Sequence, residues 1–258
     1  MSFTVALDST QRENTTEPTH NFTTTFNPPI QTYNKEGYMW AVGLVKANLW
    51  YSFFNIIDSQ YNNAQFRWVD ELAVVHDFTI PDGVYNIYQL STVIQENITA
   101  QGGTGSNISI VPNFPELKIQ LVITPGSFYE VDLSVSDFYK LLGFTDTQAL
   151  SGNITSTTQG DLVGDITNGI DNLYINCDIV AGSWYNSDSS SVLHSFVPNS
   201  PPGSNLDIVP IKIIYLPVKE QTDYLRSIRM YITDNQGRFV NLNGEDTQYL
   251  LHFKLIEI

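Results

Sequence analysis

The last third of the chain contains the segments LYINCDIV (173–180), IVPIKIIYLPV (208–218), LRSIRMYITDNQGRFVNLNGE (225–245) and TQYLLHFKLIEI (247–258). Glycine, proline, asparagine and aspartate separate these apolar runs. Short apolar segments between turn residues are typical of antiparallel strands. Parallel βαβ units would need helices between the strands, and no helical pattern separates these segments. These segments therefore predict an all-β architecture.

Earlier segments extend the same pattern. YMWAVGLVKANLWYS (38–52) is a nearly continuous apolar run, as expected for a strand that is covered on both faces. Shorter strands are predicted at QFRWVD (65–70), LAVVHDFT (72–79), ISIVP (108–112), LKIQLVI (117–123), FYEVDLS (128–134) and, weakly, SVLHSFV (191–197). ISIVP and LKIQLVI are close enough in the chain to form a hairpin.

Helix signals are sparse. Asn86 is a candidate N-cap with Gln89 three residues later, and apolar residues follow at helical spacing. The second candidate helix is Ser136–Leu142, which ends at Gly143. Residues 145–172 and 183–207 are rich in small polar residues and predict long loops. We therefore expect an antiparallel jelly-roll β-sandwich with long loops and one or two short helices.

The domain organisation follows from changes in composition along the chain. Residues 1–36 are mostly polar and contain a Pro28-Pro29 break, so they predict an N-terminal arm with at most a short edge strand around Phe22. Residues 37–258 then form the jelly-roll domain. The region of about 86–144 is a candidate insertion that projects as an upper region.

Composition narrows the functional classes. Twelve Lys and Arg against twenty-seven Asp and Glu give a formal net charge of −15, which argues against direct nucleic-acid binding. The single cysteine, Cys177, excludes an internal disulfide and alternates with apolar residues, which predicts a buried thiol. The sequence contains no secretory signal and no apolar run long enough to span a membrane, so we expect synthesis in the cytosol or nucleus without secretion.

No motif for catalysis, a cofactor or a metal is present, and we expect none of these. The histidines His20, His76, His194 and His252 are far apart and lack zinc-site spacing. Paired carboxylates at Glu130 and Asp132, or at Glu245 and Asp246, are the candidates for glycoside hydrolysis. The same pattern is equally expected on a solvent-exposed strand face. Asp234 and Asn235 before Gly237 resemble a calcium loop without its ligand spacing, so a hairpin turn is the better interpretation.

Two adjacent aromatic residues are candidate partner contacts. Trp184 and Tyr185 lie at the start of the predicted loop 183–207. Aromatic side chains at loop tips offer a large contact area at low entropic cost. We therefore single out this pair as exposed contact residues.

An ordered series of short motifs resembles the penton, or minor capsid, proteins of virophages, Maverick/Polinton elements and adintoviruses. The motifs are GYMWAVGL (37–44), FFNI (53–56), TIPDGVYNI (79–87), LLGF (141–144), YINCDIV (174–180), IYLPV (214–218), ITDNQG (232–237) and LNGE (242–245). Together they span about residues 37–258.

This resemblance implies a structural virion protein. Its copies would form homopentamers at the five-fold vertices of an icosahedral shell, beside a major capsid protein of the double-jelly-roll type. The main alternative is a β-sandwich head that binds a carbohydrate or a host receptor through Trp184 and Tyr185. The remote alternative is a β-sandwich glycoside hydrolase that uses the paired carboxylates.

Overall fold

The chain forms two compact units. The computed structural model describes residues 1–33, 35–150, 152–168, 170, 172–185, 188–219 and 221–257, with the side chains of Tyr185 and Asp188 outside the description. The first unit comprises Met1–Phe53 and Gly169–Ile258, and the second comprises Phe54–Asn168. We call them the sandwich unit and the inserted unit.

The described elements follow in chain order. The strands are β1 (Ser2–Asp8), β2 (Asn21–Gln31), β3 (Tyr38–Trp50), β4 (Gln65–Val69), β5 (Val75–Thr79), β6 (Ile108–Asn113), β7 (Lys118–Ile123), β8 (Glu130–Asp132), β9 (Thr158–Gln159), β10 (Leu173–Cys177), β11 (Ser183–Tyr185), β12 (Asp188–Ser190), β13 (Val192–Phe196), β14 (Asn205–Ile208), β15 (Leu216–Pro217), β16 (Tyr224–Thr233) and β17 (Gln248–Glu257). The α-helices are α1 (Asp58–Tyr61), α2 (Ile87–Ala100), α3 (Phe138–Leu141) and α4 (Asp146–Ala149).

The sandwich unit is built from antiparallel sheets. One sheet has the strand order β1-β17-β3-β14, with β15 also paired to β3, and the other has the order β13-β10-β16-β2. β17 alternates between buried residues (Tyr249, Leu251 and Phe253) and less buried ones, as a strand with one face on a core must. Phe22 of β2 stacks on Tyr249 with ring centroids 6.2 Å apart, which joins the inner faces of the two sheets.

β3 is covered on both faces, as its continuous apolar run predicts. Ala41 and Val42 are both fully buried although they point to opposite faces of the sheet. At Gly43, a Cβ atom would lie 2.5 Å from Ile213 Cγ2 and 2.8 Å from the Ile214 carbonyl oxygen. Only glycine therefore allows the 213–215 segment to lie this close to the outer face of the sheet.

The segment 208–218 does not form the continuous strand that its composition suggests. β14 ends at Ile208, and only Leu216 and Pro217 pair with β3 again, opposite Val42 and Ala41. Pro210 lacks an N–H to donate, and the residues between the two strands cross the sheet by side-chain packing instead of extending its ladder. We call residues 209–215 the strap.

The expected N-terminal arm, residues 1–36, is instead part of the sandwich. β1 pairs with β17 from Ser2↔Lys254 to Asp8↔Gln248, and β2 is an edge strand paired with β16. β2 also continues through Pro28 and Pro29, which an edge strand tolerates because its outer side needs no donors. The polar residues that suggested an arm occupy the exposed side of these strands and the connection between them.

The inserted unit is larger than the expected insertion of about 86–144. It contains the antiparallel sheets β5-β4-β8 and β6-β7-β9 together with α1–α4. Its own hydrophobic core includes Phe66, Trp68, Leu90, Ile94 and Leu121. The predicted hairpin is confirmed, because β6 and β7 pair from Ile108↔Ile123 to Asn113↔Lys118.

The helix predicted after Asn86 is confirmed. The Asn86 side chain accepts hydrogen bonds from the Tyr88 and Gln89 amides, and the Gln89 side chain accepts one from the Asn86 amide at 2.9 Å. The second predicted helix is shortened to Phe138–Leu141. The regions 145–172 and 183–207 are less irregular than expected, since the first contains α4 and β9 and the second contains β11–β13 and most of β14.

Candidate interaction surfaces

Trp184 is exposed on a short hairpin of the sandwich unit. β11 pairs with β12 through Ser183↔Ser190, Trp184↔Ser189 and Tyr185↔Asp188. The Ser183 hydroxyl donates to the Ser190 carbonyl oxygen at 2.6 Å, which closes the base of the hairpin. Trp184 is 70 % exposed, while the side chain of Tyr185 lies outside the described part of the structure. The hairpin thus presents a large aromatic surface to solvent.

The strap presents a second apolar surface. Val209, Ile211 and Ile214 are all exposed. The strap is attached at its end by Tyr215, whose hydroxyl is 2.6 Å from His252 Nδ1 and whose ring lies 3.7 Å below Lys254 Nζ. The sequence does not predict this surface, because the segment has the composition of a strand; only Pro210 within it indicates an interruption.

The candidate catalytic carboxylates take part in local hydrogen bonds. Glu130 accepts a hydrogen bond from Asn153 Nδ2 at 2.6 Å. Asp132 Oδ1 accepts a hydrogen bond from the Ser134 amide at 2.9 Å, and Asp132 Oδ2 forms an ion pair with Arg67 Nη1 at 3.5 Å. These contacts fix the backbone after β8, and they favour a structural role for both carboxylates.

The other candidate pair is similar. Asp246 accepts a hydrogen bond from the Ser9 hydroxyl at 3.0 Å, and Ser9 in turn accepts the Thr247 amide at 2.9 Å. The Glu245 amide donates to the Leu242 carbonyl oxygen at 3.0 Å. The pair therefore lies in the turn that precedes β17, and the hydrogen bonds with Ser9 hold this turn against the end of β1.

The calcium-like sequence forms a hairpin turn. Asp234 Oδ1 accepts the Gln236 amide at 2.8 Å and the Arg238 amide at 2.9 Å, and Oδ2 is 2.6 Å from Arg238 Nε. Gly237 has a φ of 77°, which the turn requires. Within the described residues, no group of three or more His, Cys, Asp or Glu is arranged to hold a metal ion.

The remaining titratable candidates are separate and largely buried. Burial lowers the pKa of His20 and of His194, which favours their neutral forms. Burial also raises the pKa of the fully buried Cys177 thiol, so the thiol stays protonated and unreactive. His76 contacts Asp70 in the inserted unit, whereas His252 contacts Tyr215 in the sandwich unit.

None of the helices among the described residues has the length and apolar character to cross a bilayer.

Comparison with known proteins identifies the fold. Neither the family models nor the curated proteins give a match. Among solved structures, the crystal structure of the mavirus penton protein matches with a TM-score of 0.51 and 10 % sequence identity, and the alignment covers 99 % of this chain and 100 % of that one. The chain therefore has the penton-like jelly-roll fold, an antiparallel sandwich similar to that of a virophage penton protein.

Proposed function

We propose that this protein is a penton, or minor capsid, subunit that forms homopentamers at the five-fold vertices of an icosahedral virion. The observation that carries this proposal is the structural match to the mavirus penton protein over the full length of both chains. In this proposal the role is structural rather than catalytic, and the protein resides in the virion.

The architecture of the sandwich unit supports assembly into a ring. Long paired strands such as β3 and β17 form rigid walls, while the strap and the β11–β12 hairpin offer apolar surfaces for contacts. A five-fold ring needs a heterologous interface, in which two different surfaces of neighbouring copies meet and the rotation closes. The outer neighbours of such a ring would be copies of a major capsid protein of the double-jelly-roll type.

Native mass spectrometry of the purified full chain over a concentration series tests the ring. We expect a species of about 145 kDa, five times the chain mass of 29.0 kDa, whose share rises with concentration. A stable trimer would contradict a five-fold vertex role. If only monomer is seen, the next experiment is co-expression with the major capsid protein, followed by electron microscopy of the shells. Shells that lack the protein at their vertices would refute the proposal.

The exposed Trp184 favours a second candidate function, recognition of a host glycan or receptor. A large, exposed aromatic side chain on a hairpin is a common anchor for such contacts. A glycan array probed with the wild-type chain and with Trp184→Ala tests this function. Binding that Trp184→Ala abolishes supports it; the absence of binding to every glycan, or equal binding by both proteins, removes carbohydrate recognition at Trp184.

A further inference from the structure

The sandwich unit contains a cleft of about 510 Å³. Its walls are the turn after β10, the residues that follow β15 and the first half of β16. The cleft lies where β10 would continue alongside β16 if β10 did not end at Cys177.

One wall of the cleft is an open strand edge. The last residue pair between β10 and β16 is Cys177↔Met230. Just beyond it, the Asp178 amide donates a hydrogen bond to the Arg229 carbonyl oxygen at 3.1 Å, and Asp178 Oδ1 accepts one from the Arg229 amide at 2.9 Å. Ser227 lies two residues before Arg229, so its amide and carbonyl point to the same side of β16. In the described part of the chain, no strand pairs with Ser227 on that side.

Arg226 of β16 is a cation that lines the cleft. The pairing of β16 with β2 shifts register between Leu225 and Ser227, but the extra residues lie in β2, so successive residues of β16 alternate as in a regular strand. Arg226 is exposed, whereas Leu225, the residue before it, is half-buried and also lines a small cavity with Trp40 and Phe253.

Cations outnumber carboxylates among the described side chains that line the cleft. Arg226 makes no ion pair or side-chain hydrogen bond with any described residue. Lys219 Nζ, on the facing wall, is 3.0 Å from the uncharged Ser191 hydroxyl. The carboxylate in the cleft, Asp178, already accepts the Arg229 amide. The described residues that line the cleft thus include two cations and one carboxylate, in a protein with a net charge of −15.

The rest of the lining is suited to side chains of an extended segment. Ile179, Val218 and Leu225 form an apolar floor, and Tyr224, 49 % exposed, stands at the rim. An extended peptide that adds to a sheet edge gains affinity from backbone hydrogen bonds and specificity from pockets for alternate side chains. The cleft provides an edge, an apolar floor and two cations within one site.

We infer that this cleft binds an acidic extended segment of a partner protein, which adds as a strand to β16 at Ser227 and places carboxylates beside Arg226 and Lys219. The open edge argues for a peptide rather than a small anion, because Ser227 offers one amide and one carbonyl to a neighbouring backbone. Arg226, which has no ion-pair partner among the described residues, argues for an acidic peptide rather than a neutral one.

A TROSY NMR titration of the deuterated, ¹⁵N-labelled full chain tests this inference with synthetic hexapeptides. The probe is the acidic peptide Ac-TVEVDT-NH₂, and the controls are Ac-TVKVKT-NH₂, the acidic peptide N-methylated at its three central amides, and sodium acetate. We expect the acidic peptide to shift the amide signals of Ser227, Arg226 and Lys219. We also expect at least tenfold weaker binding of the basic and N-methylated peptides, and no shift of Ser227 with acetate.

The double variant Arg226→Glu/Lys219→Glu provides the matched test on the protein. Its affinity for the acidic peptide should fall at least tenfold, whereas Lys140→Glu, an exposed charge reversal in the inserted unit, should bind as the wild type does. Equal binding of the N-methylated peptide would exclude strand addition. Shifts with acetate alone would reduce the cleft to a small-anion site, and the absence of shifts at these three amides would overturn the inference.

Discussion

At the scale of single residues, Asp234 shows how a motif with a functional appearance can be purely structural. Its side chain is fully buried, and both carboxylate oxygens accept hydrogen bonds from the turn that they close. A buried carboxylate with charge-assisted hydrogen bonds stabilises a turn strongly, because its removal leaves donors unpaired. The same oxygens are therefore not free to hold a calcium ion.

Replacement of Asp234 by alanine should lower the free energy of unfolding by about 2 to 4 kcal/mol, since two amides and the Arg238 guanidinium lose their acceptor. The matched control is Asp207→Ala, which removes an exposed ion pair with Lys46 and should cost less than about 1 kcal/mol. Urea unfolding measures both changes. A calcium-dependent rise in the melting temperature of the wild type, lost in Asp234→Ala, would restore the metal-site interpretation.

At the scale of elements, the β4–β5 hairpin is closed by one carboxylate. Asp70 Oδ1 accepts the Leu72 amide at 2.8 Å and the Val74 amide at 2.9 Å, and Oδ2 lies 3.1 Å from His76 Nε2. The hydrogen bond to His76, followed by the bond from the Val74 amide, lowers the pKa of Asp70. These contacts hold the exposed tip of the hairpin in a defined turn.

The turn should open in acid. Because the folded-state pKa of Asp70 lies below its ordinary value of roughly 4, its stabilising effect is complete above that pH and is lost as the pH falls through the lowered pKa. Hydrogen exchange of the Leu72 and Val74 amides measures this loss. Asp70→Ala should remove the protection at pH 6, while Glu71→Gln should behave as the wild type; protection that persists in Asp70→Ala would refute the assignment.

The strap should be part of the interface between copies in the proposed pentamer. Ile211 is fully exposed in the single chain, and burial of such a side chain against a neighbour is favourable. Ile211→Asp should therefore raise the concentration needed for half-assembly at least tenfold, measured by native mass spectrometry. Leu72→Asp, which changes an equally apolar exposed residue of the inserted unit, is the control. Equal effects of the two changes would indicate a non-specific loss and contradict the assignment.

At the scale of the whole molecule, the N-terminal strands are essential to the sandwich unit. Deletion of residues 1–31 removes the buried side chains of Val5, Leu7 and Phe22 and uncovers the edges of β17 and β16. At about 1.5 to 3 kcal/mol for each buried side chain, the loss approaches the whole stability of a typical domain. The truncated chain should aggregate or lose its cooperative thermal transition.

The inserted unit provides the contrast to this deletion. Residues 54–168 contain a complete hydrophobic core of their own, which includes Trp68 and Ile94. Expressed alone, they should give a cooperative thermal transition by circular dichroism.

A deletion of residues 1–31 that left the melting temperature of the full chain unchanged would show that β1 and β2 are accessory, as an arm would be.

Local patterns were sufficient for much of the fold. The strands β3, β10, β13, β16 and β17, the β6–β7 hairpin and helix α2 all lie where alternation, apolar runs or capping residues predict them. These features depend on neighbours in the chain: Asn86 and Gln89, for example, complete their capping box within a single helical turn. The all-β class and the sandwich therefore followed from the amino-acid sequence by itself.

Contacts distant in the chain were decided only by the tertiary structure. The polar N-terminus became two strands because β17 and β16, more than 190 residues away, offered free edges, as in the pairing of Gln31 with Tyr224. The strap does not form the predicted strand, because it packs across the sheet at Gly43. The cleft exists because β10 ends at Cys177 while β16 continues past it. Such features depend on which strands meet in space, and no local spacing of residues encodes that information.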